Sequence, residues 1–356
     1  MYKKKILVFT RYEDLGASSR LRTLQYLKFL ENEKIDIEVS PLFSNEYLKN
    51  LYSGKPRWQF IVSGFWKRFK KIISIKSYDL IIIEKEIFPY FPALFERLIN
   101  IFGVKYLVDY DDATFHSYDK NKNKLVRFLL GKKIDTVMRL SNLVIAGNEY
   151  LSSRAKFAGA KYIEVIPTVV DLNDYKVKVT ESSKKKLIVG WIGSPLTSKY
   201  LLSISHIYKL LKNEFDVHFI AIGAKKENFD NIPIEVLPWT KENEAKLVRS
   251  FDVGVMPLID SPWERGKCGY KLIQYMSCGL PVVASPVGIN KLIVKDGVNG
   301  FLAKNDLEWE ISLRKILKDE NLRINMGIKG RQLVEEKYSL QSNSTKFCKI
   351  IKGLLL

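Results

Sequence analysis

Residues 264–300 read ERGKCGYKLIQYMSCGLPVVASPVGINKLIVKDGVNG. Within this stretch Leu272, Ile273 and Met276 recur among polar residues, the spacing of a short amphipathic helix over Tyr270–Cys278. Gly269 stands at its entrance, and Gly279 follows where a left-handed residue commonly ends a helix. LPVVAS, 280–285, then reads as a short buried strand of the kind parallel sheets use. A loop therefore feeds a helix N-terminus bearing Lys267 and Lys271, an arrangement suited to holding a diphosphate. An ordinary strand-and-helix unit with lysines on its solvated face has the same spacing.

The same alternation extends through the chain. KKKILVFTRY (3–12), IDIEVSPL (35–42), YDLIIIEK (78–85), KYLVDYDDA (105–113), NLVIAGNEYL (142–151) and YIEVIPTVVD (162–171) read as strands separated by helical patterns. A Gly-containing loop, DLGASSRLR, follows the first strand and leads into the helix LRTLQYLKFLEN (21–32). Asp171–Lys186 is polar and lacks hydrophobic periodicity, which places a linker at 173–186. Beyond it LIVGWIG, VHFIAIG, IEVLPW, FDVGVMPL and PVVAS form a second parallel set, with TSKYLLSISHIYKLLK (197–212) read as a helix. The expected architecture is two α/β domains, 1–172 and 187–338, followed by an apolar helix at 339–356. A length of 356 residues suits two domains of roughly 170.

An apolar content of 46% argues against disorder. Cys268, Cys278 and Cys348 are odd in number and lack metal-ligand spacing, so with no signal peptide evident a reducing cytosol is expected. Cys268 is either a reactive thiol or a small packing residue. No apolar run reaches the roughly 18 residues of a spanning helix.

The net charge of +19 calls for an anionic partner or surface. Between Glu46 and Asp79 there is no acidic residue, while Lys67, Arg68, Lys70 and Lys71 interleave with Trp58, Phe65, Trp66 and Phe69. A basic helix with aromatics on one side is expected to lie on an anionic membrane, unless those aromatics face the protein core. No nucleic-acid-binding module accompanies the charge, so no nucleic-acid partner is expected.

The stretch from Glu264 resembles the signature of the family 4 glycosyltransferases, retaining enzymes of the GT-B fold. QYMSCGLPVVAS and KDGVNGFL carry the likeness. It implies two facing doubly wound, Rossmann-like domains, the second holding a nucleotide sugar, with a C-terminal helix crossing back to the first. The family's two signature glutamates fall on Gly266 and Gln274 here, and a third falls on Leu292. Gln274 can still meet the donor ribose through its amide, and only Glu264, two residues upstream of Gly266, can replace the sugar-facing carboxylate. In WIGSPLTSKYL, Gly193 and Lys199 keep the family register, while Ser194 occupies the position of a phosphate-clamping arginine. The resemblance thus implies Lys199 and Lys271 as the main phosphate ligands, with Lys267, Gly269 and Tyr270 beside them. It also places Gly16 and Arg20 near the donor, and Trp239 against its base.

On the acceptor side, Asp109, Asp111 and Asp112 end the fourth strand. They can bind a divalent metal, hydrogen-bond sugar hydroxyls, or cap the next helix. The resemblance implies a metal-free reaction and sets Asp111 at the position of a catalytic histidine, with His116 nearby as a substitute. Arg22 is expected to grip an anionic group alongside Asp112 and His116. The implied function is retaining transfer from a nucleotide diphosphate sugar to a membrane-held or lipid-linked glycan. Surface polysaccharide assembly is the implied setting, at the inner face of the membrane, with no bound cofactor. A nucleotide-sugar epimerase or hydrolase and a non-catalytic nucleotide-sugar-binding partner are the rival readings.

Overall fold

The computed structural model describes residues 3–31, 35–178 and 186–356. Asn32, the last residue of the first expected helix, and 179–185 of the expected linker lie outside the described residues. The chain forms two compact units. The first comprises the chain up to Thr168 with Arg265–Cys268 and Asn343–Leu356; the second comprises Val169–Glu264 and Gly269–Ser342. The change of unit thus falls at Thr168, ahead of the polar stretch from which the sequence places a linker.

The first unit is built on β1 (Lys5–Tyr12), β2 (Asp36–Phe43), β3 (Leu80–Glu84), β4 (Lys105–Tyr110), β5 (Leu143–Ala146) and β6 (Ile163–Val165). Their order is β2-β1-β3-β4-β5-β6, with every pairing parallel. All five residues of β3 are buried, as expected for a strand covered by helices on both faces. In this unit Phe347 of the Leu340–Leu355 helix stacks on Tyr26 at 4.5 Å, and Lys105 Nζ donates to the Leu354 carbonyl at 2.9 Å.

The second unit is built on β7 (Leu187–Ile192), β8 (Val217–Ile222), β9 (Ile234–Leu237), β10 (Val253–Met256), β11 (Val282–Ala284) and β12 (Gly300–Leu302). Their order is β12-β11-β10-β7-β8-β9, again all parallel. Strand order reverses beside β1 in one sheet and beside β7 in the other. Ligands of open α/β sheets bind at the carboxyl ends flanking such switch points. The loops after β1, β3, β7 and β10 are therefore the places to look for chemistry.

The segment 197–212 is two helices, Ser198–Leu202 and Ser205–Glu214, rather than the single one expected. Ser203 and Ser205 donate their hydroxyls to the Tyr200 and Leu202 carbonyls, at 2.7 and 2.8 Å. Serine side chains compete for backbone groups in this way and interrupt helices.

Candidate active site

At the end of β7, Gly193 leads into Ser194, whose backbone N–H donates to Thr197 Oγ1 at 3.0 Å. This capped turn starts the Ser198–Leu202 helix that carries Lys199, an exposed residue with Nζ 5.1 Å from the Tyr200 ring. The Tyr200 hydroxyl donates to Glu264, and so does Ser261, so Glu264 is a buried carboxylate held by two hydroxyls.

The signature helix runs Tyr270–Ser277. Gly269 caps it with φ +66°, a left-handed conformation that favours glycine, and a Cβ there would also press on Ile293 Cδ1 at 2.4 Å. Lys271 sits in the first turn, half-buried, with Nζ 5.4 Å from the buried Trp191 ring of β7. Half-buried Tyr270 precedes it. Gln274, by contrast, is buried, and its amide nitrogen donates to the Tyr175 hydroxyl at 2.7 Å and to Glu244 at 3.1 Å. Glu244 also accepts from the Trp239 indole at 2.6 Å. Its carboxylate adjoins the position where the family keeps a glutamate, and nothing in the local sequence pattern marks it.

In the first unit, Gly16 makes the turn after β1: its N–H donates to the Glu13 carbonyl, and its own carbonyl accepts from Arg20 N at 2.9 Å. Arg20 Nη1 reaches the Asp14 carbonyl at 3.2 Å. Arg22, expected to grip an anionic group, takes the protein's own Asp109 as its partner. Its side chain is buried and clasps Asp109 through Nε at 3.0 Å and Nη2 at 2.6 Å, while Nη1 donates to the Ile166 carbonyl at 2.7 Å. Burial pushes the Asp109 carboxyl up, against the pull of Arg22.

Lys85 is a residue that pattern reading missed. It directly follows Glu84, the last residue of β3, is buried, and adopts φ +65°. Strain of this kind in a non-glycine residue persists only where the surroundings hold it. Lys85 Nζ lies 2.8 Å from Asp111 and 4.0 Å from Asp112, and it donates to Ser18 Oγ at 3.2 Å. Burial alone would raise the Asp111 carboxyl, but the Lys85 ammonium outweighs it and holds the group well below the usual carboxylate range. His116 Nδ1 lies 2.7 Å from Asp119 Oδ1, and Nε2 lies 2.9 Å from the Tyr150 hydroxyl.

Arg265–Cys268 belongs to this unit. Asn148 Nδ2 donates to the Gly266 and Lys267 carbonyls at 2.9 and 3.1 Å, and Lys267 Nζ lies 3.9 Å from Asp112. At Gly266 a Cβ would lie 2.5 Å from Ala113 Cβ and 2.7 Å from its backbone nitrogen. No glutamate fits there, which accounts for the missing signature residue. Cys268 is a packing residue: it is buried, burial pushes its thiol up to about 12, and it donates to the Asp111 carbonyl at 3.1 Å. Among the described residues, no group of three or more His, Cys, Asp or Glu is placed to hold a metal ion.

The basic segment forms the helix Trp58–Ile73. Ile61, Phe65 and Ile72 pack on the core, whereas Trp58 (70% exposed), Trp66 (57%), Val62, Phe69 and Ile73 form an outward apolar stripe. Lys67 and Lys70 are exposed on the same helix. Arg68 and Lys71 correct the expected membrane-facing set. Arg68 is 1% exposed and donates to the Ile87 and Ser40 carbonyls, while Lys71 pairs with Glu38 at 2.5 Å. Helical geometry turns both toward the sheet. The helix Leu94–Ile101 adds exposed Leu94, Leu98 and Ile101, with Phe69 edge-on to Phe95 at 6.1 Å. No described helix is long and apolar enough to cross a membrane.

Comparison with known proteins bears on this geometry. Residues 185–319 match the model of the family described as glycosyl transferases group 1. An uncharacterized glycosyltransferase of Methanocaldococcus jannaschii is 24% identical over 271 residues, covering 71% of this chain and 66% of that protein. The chain spans somewhat less than two thirds of the length of the curated relatives it matches. Among solved structures, a sucrose-phosphate synthase from Thermosynechococcus elongatus superposes with TM-score 0.74 at 13% identity, covering 99% of each chain. HepE of Anabaena, solved with UDP and glucose, gives TM-score 0.69 at 16% identity over 98% of this chain and all of that one. These likenesses, with the two parallel six-stranded sheets, identify the fold as GT-B.

Proposed function

We propose that this protein transfers a sugar, with retention, from a nucleotide diphosphate donor to a membrane-held or lipid-linked glycan, a reading supported by the match of residues 185–319 to the model described as glycosyl transferases group 1. One observation carries the reading: the Gly269-capped helix presents Lys271 and its first-turn N–H groups near a strand-order switch point. Lys199, on the helix that follows β7, supplies a second cation.

In this reaction the bond from the anomeric carbon to the diphosphate breaks while a bond to the acceptor oxygen forms on the same face. The acceptor proton goes to the departing phosphate oxygen, so no protein nucleophile is required. Negative charge grows on the leaving diphosphate, and Lys199, Lys271 and the helix N-terminus stabilise it. They take the neutralising part without a metal, and the nucleotide sugar is a co-substrate rather than a resident cofactor. Asp111, held ionised by Lys85, and Asp112 accept hydrogen bonds from sugar hydroxyls, and Glu264 is fixed near the donor sugar.

A thermal-shift series against UDP, GDP, ADP and CMP sugars tests the donor site. Binding to the folded state alone raises the melting temperature. A clear rise with one nucleotide is expected, and no shift with any of them would sink the diphosphate assignment.

The apolar stripe and its lysines support a peripheral position on the inner face of an anionic membrane, the proposed setting for a lipid-linked acceptor. Each lysine near such a surface is worth about 1 kcal/mol. Trp58→Ser/Trp66→Ser and Lys67→Gln/Lys70→Gln variants are therefore expected to co-sediment less with phosphatidylserine vesicles than the wild type. Added salt should weaken wild-type binding. Co-sedimentation indifferent to both salt and anionic lipid would refute this placement.

A further inference from the structure

Three donors in the second unit converge on the carboxylate of Glu244, which opens the helix Glu244–Arg249. The Tyr175 hydroxyl donates to Oε1 at 2.6 Å, the Gln274 amide to the same oxygen at 3.1 Å, and the Trp239 indole to Oε2 at 2.6 Å. Gln274 also donates to the Tyr175 hydroxyl at 2.7 Å, closing a ring of contacts. Tyr175 and Gln274 lie 69 and 30 residues from Glu244 in the chain, so the fold brings them to the local Trp239–Glu244 pair. Burial raises the Tyr175 phenol well above its ordinary range, which keeps it a donor to the carboxylate.

Burying a carboxylate is costly unless donors hold it, so a purely apolar contact would tie these elements together at lower cost. What the carboxylate adds is a fixed edge for the Trp239 ring. Trp239 is only half-buried and lies just past the carboxyl end of β9. The neighbouring strand ends are laced to it: Gly223 N donates to the Leu237 carbonyl at 2.9 Å, and Gly193 N to the Ile222 carbonyl at 3.0 Å. The indole is held at Nε1 and backed on the apolar core of this unit, so its half-exposed remainder is fixed in place beside a sheet end, and every nucleobase has a π-face that can meet such a ring.

We propose that Glu244 is a positioning residue: held by Tyr175 and Gln274, it fixes the Trp239 indole as the platform on which the donor's nucleobase stacks. The inference rests on the nucleotide-sugar reading above. Gln274 then serves the donor site through Glu244.

The test is calorimetric titration of the full-length chain with two probes, UDP (or whichever nucleoside diphosphate stabilises the wild type) and inorganic pyrophosphate. Base stacking supports roughly a 5- to 150-fold effect, so Trp239→Ala and Glu244→Ala are each expected to weaken nucleoside diphosphate binding about tenfold or more. Pyrophosphate binding should be unchanged in both. The double variant should be little weaker than Trp239→Ala alone, because the two residues act as one. Glu244→Gln, which keeps an oxygen acceptor, should recover part of the loss. Trp239→Phe keeps a ring but removes the N–H that Glu244 holds, and it leaves Glu244 its Tyr175 and Gln274 donors should Glu244→Ala fold poorly; it should raise the donor KM with kcat preserved. Nucleoside diphosphate binding by Glu244→Ala within twofold of wild type, or an equal loss for pyrophosphate, would overturn the proposal while leaving the donor site standing. Absence of nucleoside diphosphate binding by the wild type would overturn both readings.

Discussion

Replacing Lys271 by alanine is expected to lower kcat/KM for donor turnover by roughly two orders of magnitude or more, and Lys199→Ala by a comparable factor. The argument is electrostatic. The leaving diphosphate gains charge in the transition state, and a positioned cation stabilises that state more than the bound substrate. Lys271 is half-buried against Trp191, so its ammonium is less screened than a surface lysine's. Lys199 lies next to Tyr200, whose hydroxyl is tied to Glu264, and this anchors its short helix. Both variants should fold, since neither ammonium is in the apolar core. Steady-state donor hydrolysis checks the prediction, and unchanged rates in both would remove the two lysines from the site.

The second large effect is on stability. Arg22→Ala leaves Asp109 buried without its guanidinium partner, a change that typically costs about 3–5 kcal/mol. For a domain of this size that corresponds to a fall in melting temperature of roughly 6–20 °C. The pH dependence has a definite sign. Burial already raises the Asp109 carboxyl, and removing Arg22 takes away what lowers it. In the variant the folded state therefore binds a proton more tightly than the unfolded one, so stability is retained at acid pH and lost as pH rises. The deficit relative to wild type should be largest at and above neutrality and should shrink as Asp109 protonates. Melting curves between pH 5 and 8 test this, and a deficit that grows toward acid would contradict it.

The sheets were legible because their strands are short apolar runs bounded by turn residues. LIIIE in β3 and LIVGWI in β7 need no partner sequence to be recognised. GFL, which forms β12, was not legible, because three residues carry no period and only the pairing with β11 makes them a strand. The break between Ser198–Leu202 and Ser205–Glu214 was hidden because the hydrophobic spacing continues through serines that turn to the backbone.

In the candidate site, the signature helix and its Gly269 cap were readable because they depend on residues adjacent in the chain. Arg22 was expected to grip an anionic ligand and Arg68 to face a membrane. Residue type suggests exposure, and only the fold shows Asp109 meeting one and backbone carbonyls meeting the other. Lys85 and Glu244 passed unnoticed for the same reason: their partners lie 26 residues or more away, or on other elements. The absent glutamate at 266 was visible as a departure, but its cause, the packing of Ala113, was not.

The most direct measurement is turnover of the nucleotide sugar that stabilises the wild-type protein, with membrane extract as acceptor and the anomeric configuration of the product read by proton NMR. The account predicts slow sugar release alone, faster transfer with extract, and a product of the same configuration as the donor. Binding without turnover in the presence of extract, or an inverted product, would contradict it.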